Sequence, residues 1–140
     1  MALEVRVLQV GVSAIRGVRA EVLGAAGLGA KNQVDHLDTT RHWALLVDGE
    51  VVGCATVVEV RGVLLRAMAV CARRRGLGLG RVLLAAVCDD VAQRMWCNAR
   101  LPAVPFFLAC GWVEQSPVFD MRGKGLHQRL EWIPDAQAAD

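Results

Sequence analysis

Hydrophobic residues in this chain come in short runs rather than one long span, and the runs follow two different periods. Val5-Arg6-Val7-Leu8-Gln9-Val10 reads as a first strand. Ile15, Val18, Val22 and Leu23 then recur at helical spacing, with Ser13 placed to cap a helix that reaches about Ala26. From Gly27 to Arg41 the pattern breaks. That segment is polar and glycine-containing, and it reads as the substrate-facing part of the chain. Trp43 to Val47 and Val51 to Val58 flank Asp48-Gly49, a two-residue hairpin signal. After Arg61-Gly62 comes a further strand, Val63 to Val70. These runs are apolar on both faces, as in a sheet covered by helices. The next helix places Leu84, Val87, Cys88 and Val91 on one face, with Asp90 and Arg94 elsewhere. Met95-Trp96-Cys97 reads as a short strand and Leu101 to Cys110 as a helix. Pro102 and Pro105 suit its first turn, and Gly111 suits the position just past its end. Trp112-Val113 and Leu126 to Trp132 are two closing strands. The expected class is α/β, with a mixed sheet between helices.

Composition narrows this. The chain has 140 residues and no repeat, linker or composition break, so residues 1–140 read as a single domain. The hydrophobic fraction is 54% and the mean hydropathy +0.35, yet no apolar run approaches the roughly 20 residues of a membrane span. A membrane partner is not expected. A net charge of +2 is too small to argue for nucleic acid. The one basic cluster, Arg73-Arg74-Arg75 with Arg81, lacks interleaved aromatics, so a nucleic-acid partner is not expected either. The five cysteines form no C-x-x-C pair, which argues against a metal site and for buried thiols. The N-terminus carries no signal-peptide pattern, so a reducing, cytoplasmic setting is expected. Four tryptophans and the high hydropathy leave apolar surface for a homodimer interface.

The chemistry concentrates at Arg75-Gly76-Leu77-Gly78-Leu79-Gly80-Arg81. Glycines between a strand and a helix start let backbone amides approach an anion, and the helix N-terminus favours negative charge. The string is neither G-x-x-x-x-G-K-[ST] nor G-x-G-x-x-G, so it is not one of the two commonest phosphate loops. It does fit R-x-x-G-x-G, which with Val70 before it and Leu83-Leu84 after it resembles the acyl-CoA pyrophosphate loop of the GNAT superfamily of N-acetyltransferases. Asn98-Ala99-Arg100 followed by Phe106-Phe107-Leu108-Ala109-Cys110-Gly111-Trp112 resembles the closing segment of that family. Trp96-Cys97-Asn98-Ala99-Arg100, Arg41-His42-Trp43-Ala44 and Lys124-Gly125-Leu126-His127 are similar to strings in a subgroup of small bacterial members. The resemblance covers about residues 4–132.

That resemblance implies a GNAT fold of about six to seven strands, acetyl-CoA as acyl donor and a primary amine as acceptor. Met68, Ala69 and Val70 would pair with the pantetheine arm. Amides of Gly76, Leu77, Gly78, Leu79, Gly80 and Arg81 would hold the pyrophosphate, with Arg75 or Arg73 near the phosphates. Phe107 would stand beside the thioester, and Asn98 would bond the pantetheine end or, alternatively, cap a helix. A backbone amide freed by a splayed strand near Ala67 to Val70 would polarise the acyl carbonyl.

Two departures stand out. Many family members have a tyrosine where Phe107 stands, and this chain has no tyrosine. Such acid help is typically worth about 10²–10⁴-fold. Cys110, one turn on, is a substitute donor or a buried thiol. The glutamate often found early in the strand before the loop is Leu64 here. Glu59, His127 and His42 are the substitute bases, each with a structural role as its alternative; His36 and Asp38 fall in the uncertain loop. A catalytically silent acyl-CoA-binding module is the rival reading.

Overall fold

The computed structural model describes residues 2–24, 35 and 37–134. Its elements run β1 (Val5–Val10), α1 (Arg16–Leu23), β2 (Arg41–Val47), β3 (Glu50–Glu59), β4 (Val63–Val70), α2 (Leu79–Val91), β5 (Met95–Arg100), α3 (Val104–Ala109), β6 (Val113–Glu114), β7 (Phe119–Asp120) and β8 (Leu126–Trp132). The strands form one sheet in the order β1-β2-β3-β4-β5-β8-β6, with β7 also on β8. Every pairing is antiparallel except β4 with β5. The expected mixed α/β sheet is therefore present; the expected Trp112-Val113 strand forms at Val113–Glu114, and the two-residue β7, which the pattern did not mark, brings the sheet to eight strands.

The hairpin forms at Asp48-Gly49, both with positive φ (49° and 84°), the turn that matches strand twist. The first helix departs from expectation. Ser13 lies inside a 3-10 turn, Val12–Ile15, and Ile15 precedes α1 with no side-chain cap. The expected end near Ala26 falls outside the described residues. The third expected helix, Leu101 to Cys110, likewise splits into a 3-10 turn at Leu101–Ala103 and α3, because the two prolines each occupy a helix start. Gly111 follows α3 at φ 91°, as expected.

The core lies on both faces of β2 to β5. Leu83, Leu84, Val87, Cys88 and Val91 of α2 pack on one face, where Trp43 donates across the layer to Asp90 Oδ2 at 2.7 Å. On the other face α1 is tied down by Arg19, which is buried. Two features open the middle of this sheet. Only Val63–Met95 and Leu64–Trp96 pair between β4 and β5, so the strands separate beyond Leu64. On β4, Ala67 and Met68 stand opposite the single residue Ala55, a bulge at which Ala67 takes φ 51°.

Candidate active site

The splay leads to the glycine loop. After Val70 the chain makes a 3-10 turn at Ala72–Arg74, then Gly76 and Gly78 adopt φ 81° and 75°. Around the Cβ position of either glycine nothing lies within 4 Å, so this face of the loop is open. Gly78 caps α2 and offers the helix N-terminus without any capping side chain. An anion fits such an end, where amides lack internal partners. At Gly80 a Cβ would meet the Phe106 ring at 3.4 Å, which ties the loop to α3.

A cleft of about 350 Å³ sits here, lined by Val70, Arg74, Arg75, Gly76, Gly78, Leu79, Gly80, Arg81 and Phe106. Arg75 Nε donates to the Val70 carbonyl at 3.0 Å, which fixes the arginine at the end of β4. On β5, Asn98 Oδ1 is buried with no hydrogen-bond partner. Buried polar atoms are nearly always paired, so an unfilled acceptor facing a splayed sheet suits a bound polar chain. The residues present thus fit a phosphorylated, amide-bearing ligand.

Several expected positions move. Arg73 turns away, pairing with Glu50 at 2.8 Å and Glu21 at 3.6 Å, and Arg74 lines the cleft in its place. Leu77 is 56% exposed and is not a lining residue. Phe107 is buried, edge-on to Phe106 and Trp112, so Phe106 is the ring at the cleft. Asn98 is a strand residue and caps no helix. Met68 and Ala69 occupy the bulge and its exit, with Ala69 paired to Cys54. Cys54 Sγ lies 3.4 Å from the Ala67 carbonyl and caps the bulge. Arg74 and Phe106 escaped the sequence reading because spacing gives no side-chain direction.

The three substitute bases separate. Glu59 ends β3 opposite Val63, seven residues along β4 from Val70, or roughly 23 Å at strand rise. It is exposed and far from the loop. His42 is sealed into a ring of polar groups. Its Nε2 lies 3.1 Å from the Asp35 carbonyl, which only accepts, so Nε2 carries the proton. Its Nδ1, 2.9 Å from Thr56 Oγ1, therefore accepts from that hydroxyl. Thr56 in turn accepts from Arg19 at 2.6 Å, and Arg19 pairs with Asp35 at 2.6 Å. With both nitrogens committed, His42 is structural. His127, on β8 opposite Arg100, donates from Nδ1 to the Gly125 carbonyl at 2.8 Å and lies beside Phe119. That leaves its Nε2 as the basic atom. Asp38 is exposed in a turn, and His36 lies outside the described residues.

Residues 21–112, more than half of the chain, match the acetyltransferase (GNAT) family. The chain belongs to that family. No curated protein matches the sequence. Among solved structures, ElaA of Escherichia coli is similar at 17% identity and TM-score 0.76, covering 94% of this chain and 100% of that one. An acyl-CoA N-acyltransferase from Pseudomonas aeruginosa is 16% identical with TM-score 0.75 and the same coverage. The E. coli ribosomal-protein-S18-alanine N-acetyltransferase is 16% identical with TM-score 0.72, covering 91% and 92%. At these identities the structures establish the fold. Family membership makes the chain an N-acetyltransferase, which moves an acyl group from acyl-CoA to an amine. Among the described residues no helix is long and apolar enough to cross a membrane.

Proposed function

We propose that this protein transfers acetyl from acetyl-CoA to a primary amine by direct attack, with donor and acceptor bound together. The observation that carries this is the continuity of three features: the β4–β5 splay, the bulge at Ala67 and the open glycine loop at the start of α2. Bound acyl-CoA supplies an activated thioester. Amides of Gly76 to Arg81 hold the pyrophosphate, and Arg74, Arg75 and Arg81 add charge at the phosphates. Val70 and the exit of the bulge pair with the pantetheine arm, whose far end Asn98 bonds. The bulge interrupts the ladder at Ala67 and Met68, and a backbone amide freed there would stabilise charge on the acyl oxygen.

The amine must be neutral to attack, and its nitrogen proton goes to a base. His127 takes that role through Nε2, held in the right tautomer by Gly125. In the balanced reaction the amine nitrogen bonds the acyl carbon, the carbon–sulfur bond breaks, and the electron pair leaves on sulfur. That thiolate departs unaided, since Phe107 has no proton to give and a free thiol's pKa of ~8.5 makes it a tolerable leaving group. Homodimerisation through apolar surface, and action inside the cytoplasm, complete the reading.

Calorimetric titration with acetyl-CoA tests it. Micromolar binding by the native protein that disappears in the double variant Arg75→Ala, Gly78→Asp is the expected result. No binding by the native protein would overturn it. Turnover of any amine, read as free thiol, would exclude the silent-module alternative.

A further inference from the structure

We propose that two copies of this chain meet at the open edge of β1, pairing antiparallel about Val5 so that Glu4 of each copy faces Arg6 of the other. This rests on the homodimer reading above and assigns it a surface. The Asp48 N–H donates to the Glu4 carbonyl at 2.9 Å, and the Glu4 N–H donates to Asp48 Oδ1 at 2.9 Å. Both backbone groups of Glu4 therefore point toward β2. In an antiparallel ladder that direction alternates along the strand, and β1 pairs with β2 without a register shift. Arg6, Leu8 and Val10 thus commit their backbone groups to β2, whereas Val5, Val7 and Gln9 direct theirs outward. β1 ends the sheet order, so no strand among the described residues receives them. Such an edge is a template for a further strand.

The side chains select the occupant and its register. On the α2 face, Val5 and Val7 stand beside Val47 and Leu45 and pack at the margin of the core. Leu3, next on that face, is 46% exposed. On the opposite face Glu4 and Arg6 are exposed, and neither side chain has an ion-pair or hydrogen-bond partner among the described residues. A second copy related by a two-fold axis matches outward backbone groups only when odd-numbered positions face odd-numbered ones. With the axis at Val5, Leu3 faces Val7 and Glu4 faces Arg6, once on each side of the axis. The charged residues then occupy non-hydrogen-bonded pairs, where side chains approach most closely. Moving the axis to Glu4 or to Arg6 sets like charges directly opposite, which is destabilising. Moving it to Val7 sets Arg6 against Leu8 and leaves Leu3 uncovered. The order Leu3-Glu4-Val5-Arg6-Val7 is apolar-symmetric and charge-inverted about its centre, so its best complement is itself.

Sedimentation equilibrium with amide hydrogen exchange tests this. The native protein should be a dimer. Exchange at the Val5 and Val7 amides should slow as protein concentration rises, while Arg6 and Leu8, bonded to β2, should not respond. Glu4→Arg and Arg6→Glu should each weaken the dimer by about 10-fold or more, because each turns both opposite-charge pairs into like-charge pairs. The double variant Glu4→Arg, Arg6→Glu restores both pairs and should return to within about 3-fold of native affinity. Both side chains are exposed, so all three variants should keep a cooperative urea transition. A native dimer that either single variant leaves intact, or that the double variant fails to rescue, would overturn the β1 edge while leaving homodimerisation through another surface. A native protein that stays monomeric at millimolar concentration would overturn the homodimer reading and this one with it, leaving the edge to a strand of another protein.

Discussion

Gly78 combines a left-handed backbone with empty space at its Cβ position, so a side chain there is penalised by conformation and not by contact. Gly78→Ala should cost about 1–2 kcal/mol in urea unfolding, the left-handed penalty of an L-residue. It should also weaken acetyl-CoA binding. The neighbouring arginines divide differently than sequence spacing implied. Arg73→Ala removes an exposed ion pair with Glu50, worth little, and should leave acetyl-CoA affinity within about 2-fold. Arg74→Ala should weaken it by about 10-fold if a charged phosphate contact is lost. Calorimetry separates the two outcomes, and equal effects would contradict the assignment. Sequence located the arginine cluster but not its sorting, because the 3-10 turn at Ala72–Arg74 sets which side chain faces the cleft.

Two elements depend on contacts that no run of residues announces. Helix α1 is anchored by the buried ring of Arg19, Asp35, His42 and Thr56, drawn from four separate parts of the chain. Thr56→Val leaves a guanidinium N–H and an imidazole nitrogen buried without partners. It should cost about 3 kcal/mol, with Thr56→Ser restoring most of it, as read by chemical denaturation. The hairpin β2–β3 has a different constraint. A Cβ on Gly53 would come within 3.0 Å of both the Ala69 carbonyl and Leu45 Cδ2. Gly53→Ala should therefore destabilise by about 1–3 kcal/mol through overpacking beside the bulge. Strand periodicity marked β3 correctly, but Gly53 and Thr56 read there as unremarkable positions. Their roles arise only from the β4 register and from the helix packed above.

At the scale of the whole molecule, the buried thiols couple stability to alkaline pH. Burial pushes Cys54 up to about 11 and Cys88 and Cys97 up to about 12. In the unfolded chain these thiols ionise at lower pH, so above about 8.5 the unfolded state releases protons that the folded state keeps. Their contribution to stability is intact below that pH and declines as pH rises toward 11–12. Urea midpoints measured at pH 8 and pH 10 should show the fall, and a flat profile would contradict the burial. Ligand binding acts in the opposite sense. Acetyl-CoA at about 100 times its Kd should add about 2.7 kcal/mol and raise the melting temperature by several degrees.

The sequence by itself determined the class of the molecule. Hydrophobic period fixed all strands but the two-residue β7, and with them α2, Asp48-Gly49 fixed the hairpin, and the glycine string with its flanking strand and helix marked the open loop proposed to bind acyl-CoA, because each of these is a local preference of backbone or side chain. Tertiary structure decided what the local code does not contain. It opened β4 from β5 after Leu64 and enclosed His42 in a buried ring with Asp35, Thr56 and Arg19. It set Glu59 at the far end of its strand and turned Arg73 outward. Each of these outcomes depends on strand register and on which face a side chain occupies, and a one-residue change in register reverses the face.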